Sequence, residues 1–158
     1  MQARLLSLPS ILRTGIVAGF AGAVLIDAYL LVTVVLVAHA ATLDGFYQFV
    51  ASGAIGPSAY AQGTGGALLG LAVHLVVSLS WGVGYAYAAA QTPQLRSRPV
   101  VSGIAYGIVV MLAMQLVEVA ANVYKIPGPA LWFNTLVAHT LFFGLPVALI
   151  VARIAPRP

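Results

Sequence analysis

The sequence predicts an all-α polytopic membrane protein with four transmembrane helices in an up-down-up-down bundle and a short interfacial helix in the first outer loop. Of its 158 residues, 61% are hydrophobic and only 6% are charged, and the mean hydropathy is +1.02. A soluble domain of this size could not bury so much apolar surface. Two further observations support the prediction: four long apolar stretches, and basic residues that are concentrated in alternate loops.

The four apolar stretches define a single transmembrane domain over residues 1–158. Each reaches the ~20 residues that cross ~30 Å of hydrocarbon at ~1.5 Å per residue. They are predicted to be helices because an isolated strand cannot satisfy its backbone hydrogen bonds in lipid. We place the spans at about residues 12–39, 65–90, 100–122 and 130–153.

The first span has a second interpretation as a cleaved signal peptide. Ala38-His39-Ala40 has the small-residue pattern of a cleavage site. The apolar region of a signal peptide is ~7–15 residues long, and this stretch is longer than that. We therefore favour a retained helix, whereas cleavage would leave three spans.

The connection between spans one and two is long and contains its own helical pattern. Leu43, Phe46, Tyr47 and Val50 lie at helical spacing, and Gly56-Pro57 ends the pattern. This predicts a short amphipathic helix over about residues 42–57 in the outer interface. A re-entrant loop that enters a cavity is the alternative.

The remaining connections are short, and their charges predict the orientation of the chain. Thr92-Pro93 and Arg98-Pro99 bracket the turn after span two, and Pro127-Gly128-Pro129 forces a turn after span three. The positive-inside rule then predicts that both termini and the middle loop lie in the cytoplasm, and the net charge of +4 needs no nucleic-acid partner. Six basic residues lie on that side and only Lys125 on the other; the six are Arg4, Arg13, Arg96, Arg98, Arg153 and Arg157.

Glycines at four-residue spacing predict close helix contacts. In lipid, small residues let two backbones approach and gain dispersion contacts. Gly15, Gly19 and Gly22 lie in span one, and Gly103 and Gly107 repeat the spacing in span three. Such faces can pack inside the bundle or against another membrane protein. The matching positions also raise the hypothesis of a duplicated helical hairpin.

Two histidines and one aspartate lie deep within the predicted spans. An ionisable side chain in hydrocarbon costs free energy and is a candidate functional residue. His74 and His139 are both ~14 Å from the outer ends of their spans, and Asp27 is ~18 Å from the outer end of span one, at the helical rise per residue. We predict a polar layer in the outer half of the bundle in which Asp27 pairs with a histidine. Gln115 and Glu118 approach this layer from span three.

Three functional hypotheses follow. The first, which the sequence favours, is an accessory or assembly subunit in which the Asp-His layer fixes helix register and the glycine faces contact a membrane-protein partner or a second copy. The second is an electron-transfer protein in which His74 and His139 ligate b-type haem from both sides. The third is a proton-coupled transporter of a small solute or ion that uses Asp27, His74 and His139. Zinc or copper at the histidines is a variant that needs a third ligand, Asp27 or Glu118.

Enzyme signatures are otherwise missing from the sequence. There is no HExxH metalloprotease motif, no phosphate-binding loop and no GxSxG elbow. The chain contains no cysteine, which excludes disulfides, thiol nucleophiles and cysteine metal sites. We therefore expect a protein that is not an enzyme.

The chain resembles a group of uncharacterised small four-span bacterial inner-membrane proteins, of the domain-of-unknown-function kind. The resemblance lies in Gly15, Gly19 and Gly22 followed by Asp27, in His74 followed by Trp81-Gly82 and Tyr85, and in His139 followed by Gly144. It covers most of the chain with short motifs. It implies that Asp27, His74 and His139 are the polar positions shared within the group, and it implies no activity.

Overall fold

A computed structural model describes residues 7–154 as a helical protein, with no strand in that range. Most of the elements after the first begin at a glycine or a proline, the residues that interrupt helices. A 3-10 helix, Gly56–Gln62, joins the second element to the third. The helices are α1 (Leu8–Val37), α2 (Leu43–Ile55), α3 (Gly63–Gln91), α4 (Pro93–Ser97), α5 (Pro99–Ala120) and α6 (Pro129–Ile154).

The predicted all-α membrane fold is confirmed. Four helical stretches within residues 7–154 are long and apolar enough to cross a membrane: Leu8–Val37, Leu43–Gln91, Pro99–Ala120 and Pro129–Ile154. The second stretch combines α2, the 3-10 helix and α3. Helices α1, α3, α5 and α6 begin and end within four residues of the predicted spans.

The outward faces of the spanning helices are apolar, as contact with lipid requires. Val24 is 52% exposed, Val76 is 63% exposed and Val109 is 54% exposed. Such side chains would be unfavourable in water and cost nothing in hydrocarbon. We therefore describe the molecule as an integral membrane protein whose lipid-facing surface is formed by these faces.

Helices α1 and α3 touch backbone to backbone and run antiparallel. A Cβ atom added to Gly19 would lie 2.5 Å from the carbonyl oxygen of Ser78 and 2.9 Å from the Cα of Leu79. A Cβ on Gly15 would collide with Val83, and one on Gly82 would collide with Gly15 and Gly19. No side chain fits between the two helices at this contact, so only glycine is compatible with it.

Helices α5 and α6 form the same kind of contact. A Cβ on Gly107 would lie 2.6 Å from the Cα of Thr140, and one on Gly103 would lie 2.8 Å from the Cα of Leu145. Gly144 of α6 faces Gly103 and Gly107, as Gly82 of α3 faces Gly15 and Gly19. The two hairpins therefore repeat one packing arrangement. It lies at the glycine positions that match between spans one and three of the sequence.

The predicted helix-contact role of all five glycines is met inside this chain. Gly22 faces α6, because a Cβ there would lie 2.8 Å from the ring of Phe143. Gly15, Gly19, Gly103 and Gly107 are used in the two hairpins described above. These glycines are buried within the bundle and do not present a face to another membrane protein.

Two of the spanning helices contain a wide π-helical segment. In α1 this segment is Leu31–Val37, and in α6 it is Ala138–Gly144. Pro146 follows the second segment and cannot donate a backbone hydrogen bond, so a regular α-helix is interrupted in the preceding turn. Span four therefore contains a widened turn that includes His139.

The first long connection is helical, as predicted, but it does not lie apart from the bundle. Gly66 and Gly70 of α3 allow α2 and the 3-10 helix to pack against that helix, because a Cβ on either glycine would collide with their backbone. Ala51 and Ser52 of α2 are fully buried. The end at Gly56, with φ of 70°, matches the predicted Gly-Pro stop. The prediction of a helix that only lies in the interface missed this docking, because hydrophobic spacing does not reveal the surface against which a helix packs.

The basic residues in the described part of the chain lie at the two ends of the bundle. Arg13, Arg98 and Arg153 are at the end where α1 begins and α6 finishes, which we call the terminus side; Lys125 is at the opposite end, the loop side. Arg4 and Arg157, which also entered the orientation prediction, lie outside the described residues. The antiparallel helices thus put these three arginines at one end of the bundle and Lys125 at the other. This asymmetry is the one on which the orientation prediction is based.

We expect Gly82→Ala to destabilise the protein by about 1–3 kcal/mol, the usual cost of overpacking a close contact. The added methyl group would force α1 and α3 apart. The free energy of unfolding can be measured by circular dichroism during titration of detergent micelles with SDS. Gly65→Ala in the same helix is the matched control, since a Cβ there meets nothing within 4 Å. Equal stability of the two variants would contradict the proposed contact.

Candidate functional site

Asp27 of α1 and His74 of α3 form a carboxyl–imidazole pair in the loop-side half of the bundle. The His74 Nε2 atom lies 3.1 Å from the Asp27 Oδ1 atom, and the two side chains are only 18% and 15% exposed. Sequence analysis left either histidine as the partner of Asp27, and the structure selects His74. Burial removes most of the water that would otherwise solvate the carboxylate, so its remaining contacts decide its free energy.

The glycine contact explains why these two residues meet. Gly19 faces Gly82 where α1 and α3 cross. Asp27 follows Gly19 by eight residues, and His74 precedes Gly82 by eight residues. In antiparallel helices equal steps from one contact reach the same height, ~12 Å away at the helical rise. The close contact therefore fixes the level at which the carboxylate meets the imidazole.

Tyr47 of α2 completes this group from the loop side. Its hydroxyl donates to the Asp27 Oδ2 atom at 3.2 Å. Gly70 allows this approach, because the backbone of Tyr47 packs where a Cβ would otherwise lie. We call Tyr47, Asp27 and His74 the polar triad.

The hydrogen bonding of Asp27 is incomplete. Oδ2 accepts from Tyr47, whereas the buried Oδ1 has no hydrogen-bond donor among the described residues. His74 Nε2 is close to Oδ1 in distance, but the pair does not meet the angular requirement of a hydrogen bond. His74 Nε2 also has a long contact of 3.5 Å with the hydroxyl of Ser78. The two groups are thus close together without a direct hydrogen bond, and one carboxyl oxygen keeps its capacity to accept a proton.

His139 does not pair with Asp27. Its Nδ1 atom lies 2.9 Å from the backbone carbonyl oxygen of Thr135. A carbonyl oxygen can only accept, so the chemistry of this contact assigns the proton to Nδ1. In the neutral ring Nε2 then carries a lone pair, and no described residue donates to it.

A small cavity lies between the two histidines. It has a volume of about 60 Å³. Its polar lining consists of His74, Ser78, Trp81 and His139, and five apolar side chains close the rest. The cavity thus brings His74, Ser78 and Trp81 of α3 together with His139 of α6.

Gln115 and Glu118 do not join the polar triad. Both side chains are half-buried, and neither forms a hydrogen bond or ion pair with Asp27, His74 or His139 within the described range. The α5 residues that do reach the cavity are Val110 and Met114. Trp132, on the same helix as His139, is 42% exposed and does not line the cavity. The predicted polar layer is therefore smaller than expected on the side of α5.

Other polar side chains in the spans form local networks that sequence analysis missed. The Tyr29 hydroxyl donates to the side-chain oxygen of Asn134 at 2.7 Å, and the amide of Asn134 donates to the Thr33 hydroxyl at 3.1 Å. On the terminus side, the Tyr85 hydroxyl donates to Ser102 at 3.0 Å. Helical spacing places each residue on a face of its helix, but it does not indicate which residue of another helix will be its partner. These hydrogen bonds therefore could not be predicted from the sequence.

The two histidines do not fit a haem between them. A cofactor-sized ligand needs a pocket of roughly 300–1,000 Å³, and the cavity that both rings line is about 60 Å³. Asp27 also lies against His74 Nε2. The metal variant meets a similar difficulty, since no group of three His, Asp or Glu residues that could hold a metal ion occurs within residues 7–154.

Comparisons with protein-family models, with curated proteins and with solved structures found no match.

We expect Tyr47→Phe to destabilise the docking of α2 by about 1–3 kcal/mol, because it leaves a buried carboxylate oxygen without its donor. Faster hydrogen exchange of the α2 amides would report the change. Tyr60→Phe is the matched control, since Tyr60 is 47% exposed and its hydroxyl has no hydrogen-bond partner among the described residues. Unchanged exchange in Tyr47→Phe would argue against the contact with Asp27.

We also expect the purified protein to show no Soret band, even when cells are grown with a haem precursor. The physical reason is the size of the cavity, which leaves no room for a macrocycle. An absorption spectrum is the measurement. A Soret band that disappears in both His74→Ala and His139→Ala would restore the haem hypothesis.

Proposed function

We propose that this protein is a proton-coupled membrane carrier of a small solute or ion, and that the Asp27–His74 pair is its proton-binding site. The observation that carries the proposal is a carboxylate and an imidazole 3.1 Å apart, largely buried between two transmembrane helices. Intramembrane ionisable groups of this kind are costly, and they mark ion pathways and proton relays in many membrane proteins.

The chemistry of the pair favours exchange of a proton. With one proton shared between them, the two groups carry no net charge, whether they are carboxylate and imidazolium or carboxylic acid and imidazole. This is the state of lowest cost in a medium of low dielectric constant. Gain or loss of one proton leaves a net buried charge, so each such step favours a change in structure or the arrival of a counter-charge.

The accessory-subunit hypothesis now ranks second. It depended in part on glycine faces that dock another membrane protein, and the chain uses those glycines in its own helix contacts. The Asp27–His74 pair alone would still fix the register of α1 against α3. An incomplete set of hydrogen bonds at Asp27 favours proton exchange over a purely structural role, since a structural pair gains from full satisfaction.

The proposed carrier has a defined orientation in the membrane and functions as a homo-oligomer. We infer from the basic residues of the terminus side that both termini lie in the cytoplasm, with the bacterial inner membrane as the proposed location. Tyr47 and Asp27 would then be nearer the outer surface. One four-helix bundle encloses only a small cavity at the site. We therefore place the solute path in a homo-oligomer, between copies of the chain.

We expect Asp27→Asn to lower proton flux at least tenfold, because the amide cannot take up and release the proton. The measurement is the change in fluorescence of a pH-sensitive dye inside liposomes after a potassium diffusion potential is imposed. Asp44→Asn is the matched control, since Asp44 is an exposed acid of α2 whose carboxylate accepts a 3.3 Å hydrogen bond from Thr64 and has no other hydrogen bond or ion pair within residues 7–154.

Two results would contradict the proposal. One is equal flux in wild-type and Asp27→Asn liposomes. The other is wild-type protein that conducts no protons and co-purifies from native membranes with a stoichiometric membrane protein, which would favour the accessory-subunit hypothesis.

A further inference from the structure

We propose that the cavity between His74 and His139 is a water site, and that this water extends the proton path from the Asp27–His74 pair to His139. The inference rests on the proposed proton-binding role of Asp27 and His74, and it adds the ligand of the cavity and the next proton acceptor. It assigns no organic solute to this space.

The size and lining of the cavity select water. A buried water needs roughly 10–15 Å³ of accessible volume and two to four polar partners. The cavity offers about 60 Å³, together with two imidazole rings, the Ser78 hydroxyl and the Trp81 indole. An organic solute of several heavy atoms would not fit, whereas one to a few water molecules would.

His139 is prepared to receive a proton. The carbonyl oxygen of Thr135 holds the proton of the neutral ring on Nδ1, which leaves the lone pair on Nε2. Since no described residue donates to Nε2, a cavity water is the available donor. Ser78 and His74 are connected by their own contact of 3.5 Å, so the same water can be positioned beside His74.

The transfer step is balanced. The imidazolium of His74 gives a ring proton to the water, and the water gives one of its protons to Nε2 of His139. Water is regenerated, His74 becomes neutral and His139 becomes an imidazolium. No electron is transferred, and one positive charge moves from α3 to α6. Asp27 is then left as a carboxylate that can take up the next proton through Oδ1.

Besides the two histidines, the ionisable groups around this step come from two helices, α1 and α2. Asp27 faces His74 from α1, and Tyr47 faces Asp27 from α2. The α5 residues that line the cavity are Val110 and Met114, which do not titrate. The charge on His139 is therefore set by the cavity water and by the pair on the other side of it.

The test uses histidine labelled with nitrogen-15 in the full-length protein in bilayers. The chain has only three histidines, and His39 is an exposed loop residue that serves as an internal reference. We expect His139 to show a protonated Nδ1 and an unprotonated Nε2 at neutral pH. In water-edited solid-state NMR, His74 and His139 should both receive magnetisation from water.

A second experiment fills the cavity with a larger side chain and measures the effect on proton flux. Val110→Leu adds a methylene group to the lining, and Val109→Leu adds the same group on the lipid face. We expect Val110→Leu to reduce water transfer to His139 and proton flux at least fivefold, with both unchanged in Val109→Leu. If Val110→Leu does not fold, Val77→Ile and its exposed neighbour Val76→Ile provide a second matched pair.

Two outcomes would overturn the inference while leaving the Asp27–His74 site intact. One is a wild-type His139 that receives no magnetisation from water or carries its proton on Nε2. The other is full proton flux in a cavity-filling variant that has lost its water signal. Failure of the proposed function itself appears separately, as equal flux in wild-type and Asp27→Asn liposomes.

Discussion

The contact between Gly82 and the backbone of Gly15 and Gly19 is the constraint on which the rest of the site depends. In lipid there is no hydrophobic force to press helices together, so close backbone approach and dispersion contacts must hold the bundle. With α1 and α3 in contact at that level, Asp27 and His74 are brought to one height two turns away. A side chain at the crossing would separate the two helices. The distance between Asp27 and His74 would then increase, and their interaction would weaken. Packing and ionic chemistry are thus parts of one arrangement.

The depth of a residue along its helix was predictable from the sequence. The direction in which its side chain points around the helix axis was predictable only in part. Apolar length and helical rise were enough to predict four spans and to put Asp27 near the level of His74. Tyr47 was counted with the apolar face of a surface helix, and its role depends on chain turns at His39 and Gly56, which have positive φ values. Such turns decide how a helix docks but leave no periodic pattern. Gln115 and Glu118 were expected to approach the polar layer, but neither lines the cavity, because helical spacing alone left the direction of their side chains open.

The polar side chains of this protein differ in how completely they are satisfied. Tyr29, Thr33 and Asn134 close a circuit of hydrogen bonds between α1 and α6, and Tyr106 donates to the carbonyl of Trp81. Groups in such circuits hold helices in register and have little reason to exchange protons. The free accepting capacity at Asp27 Oδ1 lies in the part of the bundle where the two histidines border a cavity. This contrast separates polar residues that support the bundle from those that can take part in chemistry.

The widened turn of α6 determines which residue faces the glycine contact of its hairpin. In α3, Ser78 lies four residues before Gly82 and its carbonyl faces Gly19; in α6, His139 lies five residues before Gly144 and its carbonyl faces Gly107. An uninterrupted α-helix would bring Thr140 to that place, and both hairpins would then present a hydroxyl. The extra residue rotates the preceding helix by ~100° relative to its packed half. A change in backbone winding, without any change in side-chain composition, thereby replaces a group that can only form hydrogen bonds with one that can also carry charge.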